Sequence, residues 1–195
     1  MNYERNGEKL SWEGAKQVSK VMMAQLKTLT PEVIESLDAQ DGVYIVTYDG
    51  SALGFGLSSD EEEKIVYVGI SKPNSSRHFK NGNTGTSTLR RSLGALLSAR
   101  LELLPIPRSN DPEDVDRYDN YAFEAESEQL LTDWMINNFK ISYLTLDKEN
   151  IQPFYLGLID YNVPMFNFQN NPNNKYGAQI KDARRRLAAE AAKHE

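Results

Sequence analysis

Apolar positions along the chain follow two periods. Trp12, Ala15, Val18, Met22 and Leu26 recur at helical spacing, which predicts an amphipathic helix over residues 11–28. Thr30-Pro31-Glu32 reads as an N-cap with proline at the first helical position, opening a short helix to about Leu37. After the Asp41-Gly42 turn, Val43 to Tyr48 is β-branched and aromatic and predicts a strand. Asp49-Gly50 is a turn signal, and the Gly-, Ser- and acid-rich stretch to Lys64 predicts an exposed loop. Ile65 to Ile70 predicts a second strand, antiparallel to the first. Residues 71–86 lack apolar periodicity and predict a loop. Ser87 or Thr88 then caps a helix whose stripe is Leu89, Leu93, Leu96, Leu97, Leu101 and Leu104, ended by Pro105 and Pro107. A polar loop over 108–119 leads to a helix over about 123–138, with Phe123, Leu130, Leu131, Trp134 and Met135 inward. Ile141 to Leu146 predicts a third strand, and a short helix over about 151–160 follows. Pro164 to Asn174 is rich in Asn and Pro. The charged tail, 175–195, predicts a last helix.

The alternation implies an α/β domain: a small three-stranded, mostly antiparallel sheet flanked by helices, with extra helices at both ends. The expected division is an N-terminal helical extension over 1–40, a core over 41–170 and a C-terminal charged helix over 171–195.

Composition narrows the chemistry. The 195 residues are 39% hydrophobic and 26% charged, as in a soluble globular chain. No apolar run nears the roughly 20 residues that span a bilayer. The polar start, Met1 to Leu10, shows no secretory signal. A cytoplasmic location without membrane association is therefore expected. The chain has no cysteine, which removes disulfides and thiolate zinc sites. The net charge of -6 weighs against nucleic acid as an average. Yet acids gather at Asp60 to Glu63 and Asp111 to Asp119, and bases at Arg77 to Lys80, Arg90–Arg91 and Arg184 to Arg186. A local basic face is compatible with that distribution.

Gly42-Val43-Tyr44 on one predicted strand and Tyr67-Val68-Gly69 on the next resemble the paired signatures of the GIY-YIG nucleases. Arg77, eight residues past Gly69, lies where that family places its catalytic arginine. The later order of helix, helix, strand and helix is similar, and Pro164-Met165-Phe166-Asn167 resembles the Pro-x-x-Asn ending of the family core. The resemblance spans about 41–170. It implies a metal-dependent endonuclease that hydrolyses DNA phosphodiesters with Mg²⁺ or Mn²⁺. Carried over, Tyr44 is the expected general base, Tyr67 its neighbour on the phosphate, and Arg77 the charge stabiliser. A phenol needs positive surroundings to act as a base, and an arginine fork suits phosphate oxygens.

One position departs from that pattern. The metal glutamate is expected on the helix after the third strand, and the residue that matches is Gln152. Glutamine keeps the shape but loses the charge that a hard cation needs. Three explanations stay open: a naturally impaired site, a charge supplied by Glu149 one turn earlier, or a glutamate replaced by design. An impaired scaffold that binds nucleic acid or a protein is therefore the alternative function. The long insertion between the tripeptides is a second departure.

Other residues have two readings each. His78 and Lys80 follow Arg77 and are candidate nucleic-acid contacts, or plain exposed side chains. Arg90 and Arg91, in the first turn of a helix, are candidate phosphate contacts or a solvated helix start. The Gly82 to Gly85 loop is either a DNA-contacting loop or a connection. Glu128 is a reserve metal ligand or an ordinary acid near a helix start. Arg184 to Arg186 contact a DNA backbone or lie on a solvated helix face. One catalytic centre cuts one strand per visit, so double-strand cleavage implies a homodimer or two visits.

Overall fold

The computed structural model describes residues 5–6, 9–48 and 64–194. The predicted turn at Asp49-Gly50 and most of the predicted loop to Lys64 lie outside them.

Two short strands, β1 (Arg5–Asn6) and β2 (Lys9–Leu10), pair antiparallel and lead into α1 (Trp12–Met23). Ser11 caps α1 by accepting from the Gly14 N–H at 3.1 Å. Ala15, Val18 and Met22 are buried as their spacing requires, whereas Trp12 lies 59% exposed against Tyr161. The helix stops at Met23, short of the expected Thr28. Lys27–Thr28 instead form β3, which pairs with a later strand and covers its outer edge. Helix α2 (Pro31–Ser36) follows its Thr30 cap, and β4 (Gly42–Tyr48) and β5 (Lys64–Ser71) form the expected antiparallel pair, with a bulge between Val46 and Thr47.

Helix α3 (Thr88–Leu101) is capped by Ser87. Leu89, Leu93, Leu96 and Leu97 go inward, but Leu104, past the helix end, is 49% exposed. The ribbon of β6 (Pro105–Ile106) and β7 (Ala122–Phe123) closes the acidic loop and feeds α4 (Ala125–Asn138). There the expected stripe is corrected. Leu130 is 47% exposed, while Ser127, Glu128 and Thr132 are buried beside Leu131, Trp134 and Met135. The inward face is turned toward polar residues because Arg90 needs partners. Strand β8 (Lys140–Thr145) then joins the sheet, α5 (Lys148–Asn162) runs longer than expected, and α6 (Gly177–Ala191) buries Ile180, Ala183, Leu187 and Ala191.

Among the described residues the sheet has four antiparallel strands in the order β3-β8-β4-β5, one more than expected. The fold class, a mixed α/β domain with a mainly antiparallel sheet, is as the sequence implies. Side chains alternating along β4 feed two cores. Val43 and Ile45 meet Leu10, Val18, Phe154 and Leu158 on one face. Tyr44, Val46 and Tyr48 meet Leu89, Leu93, Trp134 and Ile180 on the other. β5 is left at the edge of the sheet, and the candidate site is built along it.

Candidate active site

The β4–β5 register sets Tyr44 opposite Gly69. The Tyr44 ring lies over Gly69 so closely that a β-carbon there would overlap ring carbons and the hydroxyl oxygen. Glycine is thus required at Gly69 by close approach, which gives the second tripeptide a physical reason. Tyr44 is fully buried and Tyr67 half-buried, with ring centroids 6.0 Å apart. A hydrogen bond joins their hydroxyls. Burial pushes the Tyr44 phenol well above its ordinary range, and Tyr67 adds to the rise. Tyr67 is pushed up to about 12, first by burial and then by Tyr155, while the Arg77 charge works the other way on both phenols.

The outer edge of β5 is closed by the Pro-x-x-Asn segment. Asn167 accepts from the Val68 N–H through Oδ1 and donates to the Val68 carbonyl through Nδ2, both at 2.8 Å. The Phe166 N–H donates to the Val66 carbonyl at 3.0 Å. One side chain thereby does what a neighbouring strand would do. Tyr155, on α5, completes this corner. Its phenol is raised by burial, a hydrogen bond with Asn167 tempers the rise, and it lies close enough to act on both Tyr44 and Tyr67. Tyr155 was not singled out from the sequence. The only signal was that it lies one turn after Gln152 on the same helix.

Arg77 sits in a 3-10 turn, Ser75–His78. Asn74 enters the turn at φ 69, a left-handed conformation that asparagine tolerates. Ser75 Oγ donates to the Ile70 carbonyl at 2.8 Å. Asp38 accepts from the Ser76 N–H at 2.8 Å and from the Ser76 hydroxyl. Burial opposes the Asp38 charge, but the Ser76 bonds and Lys80 outweigh it and hold the carboxyl below its usual range. Arg77 itself is half-buried, donates from Nη1 to the Asn74 carbonyl at 2.8 Å, and directs its charge at both tyrosines. The structure thus brings Tyr44, Tyr67 and Arg77 together. Lys80 is exposed, 3.6 Å from Asp38.

Two candidate contacts prove to be internal. His78 is buried, hydrogen-bonded through Nδ1 to Ser87 Oγ at 2.7 Å, with its ring 5.7 Å from that of Tyr67. Burial, then the Arg77 and Arg90 charges, drives its pKa down to about 3, so the ring is neutral. Arg90 is 0% exposed and 2.6 Å from Glu128 Oε2, with further bonds to Thr84, Thr132 and the Glu128 carbonyl. Neither side chain meets a surface phosphate from that position. Glu128 is correspondingly committed to Arg90 rather than free for a metal. Arg91 is 6% exposed and donates to the carbonyls of Thr84 and Gly85 at 3.0 and 2.7 Å. The Gly82 to Gly85 loop is accordingly tied to these arginines.

The expected metal arm is different. Gln152 and Glu149 are both exposed, in the N-terminal half of α5. Gln152 is one turn from Tyr155, so it stands at the rim of the tyrosine corner. Glu149 is one turn further out. A hard divalent cation favours carboxylate oxygens, and Mg²⁺ is usually held by one or two of them with waters and substrate phosphates. Gln152, one turn from Tyr155 on α5, is a neutral amide. Among the described residues no group of three His, Asp or Glu side chains converges. The donor set as the chain carries it does not fit the metal that the resemblance implies.

The family model described as the GIY-YIG catalytic domain matches residues 49–186, more than half of the chain. The match contains Tyr67, Arg77, Gln152, Tyr155 and Asn167 and begins after Tyr44. No curated protein and no solved structure matches the chain.

Proposed function

The chain belongs to the GIY-YIG catalytic-domain family, and from that premise we propose that it is an endonuclease domain acting on phosphodiester bonds of DNA. The observation that carries this reading is the corner at the β5 edge. Half-buried Tyr67 backs onto Tyr44 and Tyr155, and Arg77 is aimed at the same point from an anchored turn. In this reading Arg77 holds the non-bridging oxygens of the scissile phosphate and offsets the charge that grows there. Tyr67, the more accessible phenol, faces the attacking water and takes its proton. Tyr44, fully buried, donates to the Tyr67 oxygen and fixes it; this moves the role of base from Tyr44 to its neighbour. With a pKa near 12, Tyr67 is protonated at neutral pH. Arg77 alone does not bring it into the working range, so an added positive charge is required. Mg²⁺ or Mn²⁺ would supply it only with a carboxylate at position 152, since the amide of Gln152 does not fit the ion. Cleavage of both strands calls for a homodimer or two visits.

A second reading is favoured by one observation, the amide at Gln152. The domain then grips nucleic acid, or a protein partner, without cutting. The experiment is cleavage of labelled single- and double-stranded DNA in Mg²⁺ or Mn²⁺ by the chain and by Gln152→Glu. Cutting by Gln152→Glu supports the nuclease reading. No cutting by either, with DNA binding that weakens steeply in salt, supports the binding reading. No cutting, with binding indifferent to salt, directs attention to a protein partner.

A further inference from the structure

Arg90 and Arg91 are neighbours with opposite electrostatic fates. The Arg90 charge is answered by Glu128. Arg91 is nearly as buried, yet the acceptors around it are neutral: the carbonyls of Thr84 and Gly85, and the Thr88 hydroxyl at 3.4 Å. Its Nε–H is buried with no acceptor among the described residues. Arg184 and Arg108 act against its charge, and the Tyr121 phenol acts in its favour. Arg108 packs over Gly85, where a β-carbon would stand 3.0 Å from the Arg108 Cβ, but Arg108 is neutralised by a two-pronged bond to Asp114 at 2.7 and 2.5 Å. Helix α6 packs on α3, and Arg184, half-buried on α6, acts on both Arg91 and Tyr121, while Tyr121 donates to the Arg91 carbonyl at 2.9 Å. Burial first, then Arg184, lowers the Arg91 pKa to about 10. A buried cation beside a second cation, with no carboxylate on either among the described residues, is costly unless an anion completes it.

We propose that Arg91 and Arg184, where the first turn of α3 meets α6, form a second phosphate site that takes a backbone phosphate of the nucleic acid held at Tyr67 and Arg77. Arg184 makes the contact, because it is the more accessible of the two. Arg91 is the fixed charge behind it, held in place by two backbone carbonyls. This rests on the nuclease-type reading for its ligand, but its electrostatics do not depend on cleavage. His78 is bonded to Ser87 and Arg91 to the carbonyls of Thr84 and Gly85, so one short segment joins this site to the Tyr67 corner.

The test is fluorescence anisotropy of a short labelled duplex in EDTA, titrated with salt. It compares the intact chain with Arg184→Ala and with Lys16→Ala, a loss of the same charge on α1, which packs on the other core. Arg184→Ala is expected to weaken binding several-fold and to lower the slope of log affinity against log salt by about one. Lys16→Ala is expected to change neither. Equal binding and slope for Arg184→Ala and the parent overturns the site, as does an equal effect of Lys16→Ala. If the parent binds no duplex, inorganic phosphate and tripolyphosphate become the probes. A melting temperature raised by them in the parent and not in Arg184→Ala supports a site for free phosphate anions, and no such difference overturns it. Failure of cleavage in every variant, with the change in slope intact, sinks the nuclease reading and leaves this site standing.

Discussion

The two sides of Tyr67 are built by different rules. Behind it, polar groups are buried and matched: Asn167 on Val68, Asp38 on Ser76, His78 on Ser87, Glu128 on Arg90. In front, Gln152 and Glu149 stand exposed on α5, and they belong to no group of three His, Asp or Glu among the described residues. The frame that positions phenols and Arg77 is therefore part of the folding energetics, whereas the rim that would hold a metal is free of it. The rim could exchange a carboxylate for an amide at little cost in stability; the frame could not change so cheaply.

The largest break in the frame is expected at Glu128. Glu128→Ala leaves Arg90 buried without its counter-ion, which should cost about 3–5 kcal/mol. Replacing both partners by apolar residues of similar volume should recover most of that. Chemical denaturation reads both, and a loss below about 1 kcal/mol for the single variant would show that the pair is not the internal brace described here. Next comes Asn167→Ala, which uncovers the N–H and carbonyl of Val68 at the sheet edge. A loss of about 1–3 kcal/mol is expected by the same measurement, and no loss would mean that water replaces the side chain. The last effect is a pH dependence. The folded pKa of His78, about 3, is below its unfolded value, so the unfolded chain binds the proton first. Stability is then full above about pH 6.5 and falls toward pH 3, by up to about 1.4 kcal/mol per pH unit from this group. A His78→Asn variant should lose that part of the slope; an unchanged slope would assign the acid sensitivity to carboxylates.

Much of the frame could be read in the sequence, because strand alternation and glycine placement are local signals. Gly42–Tyr44 on the inner strand β4, Tyr67–Gly69 on the edge strand β5, and Arg77 and Asn167 beside β5 come together in one corner. What could not be read depended on contacts across long stretches of chain. The inward face of α4 is polar because of Arg90, which lies on a different helix, so counting apolar residues misplaced Leu130. Lys27–Thr28 became a strand because β8 offered a free edge, which a helical period ending at Leu26 cannot foresee. Adjacent Arg90 and Arg91 look alike in sequence; only the fold gives one a carboxylate and the other two carbonyls. Tyr155 drew no attention because nothing local marks an aromatic residue on a helix as facing two phenols.

The Tyr67–Arg77 corner is proposed to hydrolyse phosphodiesters once a carboxylate stands at position 152. The most direct measurement is cleavage of labelled DNA in Mg²⁺ or Mn²⁺ by the chain, by Gln152→Glu and by Gln152→Glu/Arg77→Ala. Gln152→Glu is expected to cut, and the added Arg77→Ala to lower its rate by about 10²–10³-fold, as loss of one charge-stabilising group typically does. Cutting that survives the loss of Arg77 unchanged, or no cutting by Gln152→Glu although the DNA is bound, would contradict the proposal.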